Sequence, residues 1–234
     1  MAINVTFVGK NGAGKSTLVN ALAPEKALIS ERKSERKCEE QFYLLMEGSS
    51  MTEGKIKNKK AFEWLSKNYN TDLFIYCLSI DPDVKFNYAN PSIMWALQEV
   101  FGKNVWKKCI LAFTFSNKIW ERIKKKNKQE SQAIFQYKKY IRKYAKLFQE
   151  ELTKLSVHMR VKPAFDIDLV RDSQPTILAL PVGKDLDDLI LPDIRNITND
   201  AGSKPLMNIH TKNWTDLVMI EMDRKYHGTE KYLE

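Results

Sequence analysis

The sequence predicts a three-layer α/β/α sandwich with a mostly parallel central sheet, and three observations carry that prediction. Apolar, β-rich runs alternate with helical patterns, and parallel strands need the crossover connections that helices supply. Two of those runs, LFIYCLS and CILAF, read as strands buried on both faces. A chain of 234 residues with 43% hydrophobic composition can also bury a sizeable core.

In chain order, INVTFV (3–8) is the first strand, and GKSTLVNAL (14–22) the helix that follows its glycine-rich loop. QFYLLM (41–46), DLFIYCLS (72–79), CILAFT (109–114) and TILALPV (176–182) are the later strands, with helical patterns at KAFEWLSKNY (60–69) and SIMWALQEVF (92–101) between them. A long helix near 129–156 carries Ile134, Tyr137, Ile141, Tyr144, Phe148, Leu152 and Leu155 at steps of three or four, one apolar stripe. Residues 184–212 hold two prolines and scattered polar residues and read as a long excursion. NWTDLVMIEMDRKY (213–226) is the carboxy-terminal helix. The expectation is one domain over 1–234, with a long basic helical segment at 118–156.

Cys38, Cys77 and Cys109 are an odd set, two of them inside apolar strands, which points to a reduced intracellular setting without disulfides or a zinc cluster. No run of 18 apolar residues occurs, and the chain opens on the strand-like AINVTFV rather than a secretion segment, so a soluble, cytoplasmic protein is expected. Between Lys118 and Lys146 eleven Lys/Arg face only Glu121 and Glu130, a local +9 that equals the net charge of the whole chain. That stretch has three readings: a solvated helix face, a surface for acidic lipids or nucleic acid, and a docking face for a partner. No RNA-binding signature accompanies it, which favours an acidic membrane surface or acidic protein over nucleic acid.

Gly9-Lys10-Asn11-Gly12-Ala13-Gly14-Lys15-Ser16 fits the phosphate-loop pattern GxxxxGK[ST] completely, and it lies between a strand and a helix, the context the motif requires. Its glycines let backbone N–H groups turn inward toward phosphate oxygens, and the helix running on through Thr17 adds the positive end of its dipole. In this pattern Lys15 reaches the β and γ phosphates and the Ser16 hydroxyl ligates Mg²⁺. Lys15, Ser16 and the loop amides would supply most of the charge stabilisation in any attack of water on the γ-phosphate.

The same loop letters occur in ABC-transporter ATPases, but the Ser-Gly-Gly signature and the Asp-Glu strand end of those proteins are missing. The chain instead resembles the GTPases of immunity-associated proteins (the avirulence-induced-gene type) and the related chloroplast import receptor GTPases, a septin-related branch of the G-protein superfamily. The segments that carry the resemblance are NVTFVGKNGAGKSTLVNAL, DLFIYCLSID, VWKKCILAFTF, and LPVG followed much later by NWTDLVMIEMDRK. The resemblance covers residues 3 to about 226 and implies a P-loop NTPase of the G-domain type that binds GTP/GDP with Mg²⁺. It also implies a nucleotide-controlled switch or assembly scaffold, slow or partner-dependent hydrolysis, and pairing with a second copy across the nucleotide face. Several members of that family reach membranes by hydrophobic carboxy-terminal tails, whereas this sequence ends GTEKYLE.

Departures from the G-protein pattern locate the open questions. The Asp-x-x-Gly element is Glu47-Gly48-Ser49-Ser50, leaving Glu47 as a longer substitute near Mg²⁺ or an ordinary turn carboxylate. No switch threonine precedes it; ALISERKSERKCEEQ offers only Ser30 and Ser34. Asn117-Lys118 is followed by Trp120 where the guanine-reading Asp belongs. The resembled family has Thr then His or Arg at this place, so Thr114-Phe115 implies an aromatic face against the base, although Phe115 could equally be core. Gly183, Lys184 and Asp185 in LPVGKDLDD are the remaining candidates for the base edge. Asp81 is either a Mg²⁺-associated acid, as an ATP-dependent ATPase or kinase would use, or the start of an Asp-Pro-Asp turn. A nucleotide-loaded scaffold that does not hydrolyse is the non-enzymatic alternative. His158, His210 and His227 have no metal-ligand spacing.

Overall fold

The computed structural model of the protein describes residues 3–22, 35–38, 41–48, 54–82, 91–159, 176–180, 218 and 222. The chain runs β1 (Ile3–Lys10), α1 (Lys15–Leu22), β2 (Glu35–Cys38), β3 (Gln41–Gly48), α2 (Gly54–Asn68), β4 (Leu73–Ser79) and α3 (Pro91–Phe101). A 3₁₀ turn (Lys103–Lys108), β5 (Cys109–Thr114), α4 (Ser116–Lys126), α5 (Glu130–His158) and β6 (Thr176–Ala179) follow. The sheet order is β2-β3-β1-β4-β5-β6, parallel throughout except for β2, which pairs antiparallel with β3 at the edge.

Strand periodicity divides the core into two layers. In β4, Phe74, Tyr76 and Leu78 point to one face, with Cys109, Leu111 and Phe113 of β5. Helices α2, α3, α4 and α5 cover this face through Phe62, Leu65, Ile93, Leu97, Ile119, Trp120 and Phe148. Leu73, Ile75 and Cys77 point to the other face with Ile110 and Ala112, covered by Leu18 and Val19 of α1 and by Val218 and Met222. Every residue from Leu73 to Leu78 and from Cys109 to Thr114 is buried, as central parallel strands must be. Three layers follow from this partition.

The long helix keeps its apolar stripe: Tyr137, Ile141, Phe148 and Leu152 are fully buried, with Ile134, Tyr144 and Leu155 packed at its edges. Ala133 and Ala145 are buried as well, small residues that let the helix approach its neighbours. The expected basic segment 118–156, however, is two helices. Asn127 ends α4 by sending both its backbone N–H (3.1 Å) and its side-chain amide (2.8 Å) to the Ile123 carbonyl, which closes the last turn in place of a further helical residue. α2 begins six residues earlier than its apolar pattern suggests, because GKIKNK carries few apolar residues to mark the helix start. The edge strand β2 falls within the stretch searched for a switch threonine. Of the carboxy-terminal helix expected at 213–226, Val218 and Met222 are described, both helical and buried. The excursion 184–212 lies outside the described residues. Among the described residues no helix is long and apolar enough to cross a membrane.

Candidate nucleotide site

The carboxyl ends of β1, β3, β4 and β5 lie along one edge of the sheet, and β1 is the strand from which the chain departs in both directions. The connection through α1 leads to β2 and β3 on one side, and the connection through α2 leads from β3 to β4 on the other. Ligands of open parallel sheets bind at such a reversal. The loop Asn11–Gly14 leaves β1 there and enters α1 at Lys15.

Gly12 (φ 77°) and Gly14 (φ 80°) both adopt the left-handed conformation that a side chain disfavours, which is why glycine recurs in this loop. Gly9 is required for a different reason. It pairs with Glu47 on one side and Cys77 on the other, and a Cβ added to it would lie 2.4 Å from the Cys77 carbonyl oxygen. Lys10, Asn11, Gly12 and Thr17 are exposed along the outer side of the loop, Gly14 and Ser16 are half-buried, and Ala13 is buried beneath. The loop closes on itself by a 3.1 Å bond from the Ala13 N–H to the Lys10 carbonyl.

Lys15 is only 3% exposed and curls back over the loop. Its ammonium donates to the Gly9 carbonyl (3.1 Å) and the Lys10 carbonyl (2.9 Å), the partners a buried charge needs. The cation therefore stands over the cradle that the glycines open. Burial pushes the Cys77 thiol up to about 12, against the pull of the nearby Lys15 charge, so Cys77 packs as a neutral hydrophobe under the loop. Glu47 is placed by backbone register beside Gly9, at the last pairs of β3 with β1. Ser30, Ser34, Ser49 and Ser50 lie outside the described residues.

The second half of the site is built from the ends of β4, β5 and β6. The buried Thr114 hydroxyl donates to the Ala13 carbonyl at 2.9 Å, tying the end of β5 to the loop. Phe115 follows in the left-handed conformation (φ 61°, ψ 23°) and turns the chain directly into α4. An aromatic residue in this region is uncommon and carries a conformational cost. Ser116 then anchors the turn, its N–H (3.2 Å) and hydroxyl (2.7 Å) both reaching the Leu180 carbonyl. Gly183, Lys184 and Asp185 lie outside the described residues.

This early helix start accounts for Trp120 at the position where the sequence departs from the G-protein pattern. Asn117 and Lys118 belong to the first turn of α4, and Trp120 lies on the helix face that packs edge-on against Tyr137 at 5.6 Å. Position 120 is thus part of the core between α4 and α5. Lys118 reaches back instead: its ammonium lies 5.4 Å from the Phe115 ring centroid and 2.5 Å from a carboxylate oxygen of Asp81. Asp81 is 6% exposed and carries its counter-charge from Lys118, an arrangement that serves the turn after β4 rather than a free metal-binding acid. Sequence reasoning missed both this cluster and the Thr114–Ala13 link, since neither pairing has a local signature. Among the described residues no three His, Cys, Asp or Glu side chains group as a metal site.

No protein-family model matches the sequence, and no curated protein matches it. Solved structures do match. Toc33 from Arabidopsis thaliana in complex with GDP and Mg²⁺ superposes with a TM-score of 0.60 at 15% identity, over 97% of this chain and 85% of that one. The chain has the P-loop G-domain fold. The Toc33 complex with Mg²⁺ and GMPPNP matches over the same shares with a TM-score of 0.57 at 16% identity. A dimerization-deficient mutant of Toc33 matches at 0.60 and 15%.

Proposed function

We propose that the protein binds a guanine nucleotide with Mg²⁺ and uses it as a switch that controls association with a second copy or another partner. The observation that carries this reading is the buried Lys15 ammonium held over a loop whose Gly12 and Gly14 are left-handed, at the point where the sheet order reverses. The cradle fits a phosphate: a buried cation, a loop with left-handed Gly12 and Gly14, and the head of α1 lie together. Lys15 would hold the β and γ phosphates and Ser16 the metal, with Glu47 beside Gly9 as its more distant carboxylate. Mg²⁺, when bound, offsets phosphate charge. Thr114 holds the loop against β5, and Phe115, partly buried against the core beneath the loop, would meet the base with its remaining exposed face, with Gly183, Lys184 and Asp185 as candidates for the base edge.

The finer reading is a member of the immunity-associated branch, with slow or partner-dependent GTP hydrolysis. It draws support from the sequence segments quoted above, from the fold shared with Toc33, and from the existence of a Toc33 mutant deficient in dimerization. Acidic partners, a membrane surface or a protein, would meet the basic helices α4 and α5. The Asp81–Lys118 pair counts against an ATPase or kinase built on Asp81. Competition titration with GTP, GDP and ATP tests the assignment: guanine nucleotides should bind more tightly, with discrimination weaker than in G proteins that retain the Asp. Tighter ATP binding would transfer the chain to the ATPase or kinase class. Mass in solution with each nucleotide tests pairing with a second copy, and a monomer in both states would refute that pairing.

A further inference from the structure

The hairpin of α4 and α5 carries a surface that nucleotide binding does not use. α4 ends in Lys124, Lys125 and Lys126, and α5 starts after only three residues, one of them Lys128, so these charges gather at the hairpin tip. Trp120 against Tyr137 holds the two helices together. The inner face of α5 is spent on the core. At about 100° per residue, its outward side carries the exposed Phe135, Lys139, Lys143 and Lys146, with the half-buried Arg142 on the flank. Phe135 is 66% exposed and Tyr140 42% exposed, so an aromatic ring stands in water at the head of a lysine stripe. From Arg122 to Lys146 ten basic residues meet only Glu130.

A solvated face accounts for the lysines alone. The aromatic ring among them adds the second signal that a lipid bilayer uses, apolar insertion beside electrostatic attraction. Nucleic acid is the weaker fit: eight of the ten cations are lysines rather than the planar, bidentate arginine, and a convex helical face offers no groove along which a strand could run. We propose that the α4–α5 hairpin docks on an anionic bilayer, the lysines meeting acidic headgroups and Phe135 entering the boundary of headgroup and acyl chain. The proposal is independent of the nucleotide reading.

Co-sedimentation of the full chain with vesicles of phosphatidylcholine, alone or mixed with phosphatidylserine, tests it. Binding should require phosphatidylserine and fall as salt is raised. At about fivefold per lysine, Lys139→Glu, Lys143→Glu and Lys146→Glu together should weaken it by roughly a hundredfold or more. Phe135→Ala should weaken it several-fold while leaving the thermal midpoint in place, since the ring is exposed. Lys60→Glu, Lys67→Glu and Lys108→Glu, an equal charge change at exposed positions elsewhere, should leave most of the binding intact. Equal loss in both triple variants would reduce the effect to net charge and overturn the proposal. So would full binding by Phe135→Ala, or failure on vesicles by a chain that binds single-stranded RNA.

Discussion

The two halves of the candidate site are specified by different means. On the phosphate side, Gly9 to Ser16 match the motif letter for letter, and the structure bends them as those letters require, with left-handed Gly12 and Gly14 and an inward Lys15. On the base side the letters depart from the pattern, and the geometry is set by residues far away in the chain: Thr114 bonded to Ala13, Ser116 to Leu180, Lys118 to Asp81. The contrast teaches that a phosphate cradle is a local backbone conformation, which glycines specify within a few residues. A base pocket is a convergence of strand ends, which nothing local specifies.

The largest expected effect breaks the phosphate side outright. Lys15→Ala removes the cation over the cradle and should lower triphosphate affinity about a hundredfold or more, read by equilibrium titration, while circular dichroism still shows the fold. Unchanged affinity would remove the assignment. Gly9→Ala acts on stability, since its Cβ would run into the Cys77 carbonyl, a backbone atom that cannot swing aside. A loss of about 2–3 kcal/mol in chemical denaturation is expected. The same substitution at Gly12, where a Cβ meets nothing within 4 Å, should cost only the left-handed conformation, about 1 kcal/mol.

An effect confined to alkaline pH reports on the floor of the loop. The Cys77 thiol is raised by burial from its ordinary 9.0 to about 12, so above the ordinary value the unfolded chain releases a proton that the folded chain retains. Stability supplied by Cys77 is therefore complete below that value and is lost as pH climbs toward the folded one, at about 1.4 kcal/mol per unit. Cys77→Ser or Cys77→Ala should flatten the alkaline limb of the stability curve, and a limb of unchanged slope would place the thiol elsewhere. The smallest effect sharpens the base side. Glycine at Phe115 should be more stable than alanine by about 1 kcal/mol, because only glycine relieves the left-handed strain. If Phe115 stacks on the base, both variants should bind nucleotide several-fold more weakly despite their different stabilities. Wild-type affinity in both would leave Phe115 as a packing residue.

The fold was legible wherever hydrophobic pattern and secondary-structure period agreed. LFIYCLS and CILAFT could be read as central strands because burial on both faces demands unbroken apolar runs, and the stripe of α5 could be read because its residues recur at helical spacing. The start of α5 was legible from its stripe, expected near 129 and found at Glu130, but the end of α4 was not, since a helix end decided by one amide bonding one carbonyl has no period. Trp120 shows the opposite limit. Its letter announced a departure from the base-reading motif, but only packing against Tyr137 shows that the helix starts early and turns this position into the core.

The sequence by itself determined the alternating strand and helix order, the glycine-rich loop and the concentration of positive charge, because each depends on residues that are neighbours in the chain. Tertiary structure decided which strand ends meet the loop, that Asp81 answers to Lys118, and that the basic segment folds back as a hairpin with Phe135 outward. Those outcomes depend on contacts between positions tens of residues apart, such as the 101-residue span from Thr114 to Ala13, and a contact of that kind exists only once the sheet has brought its strands side by side.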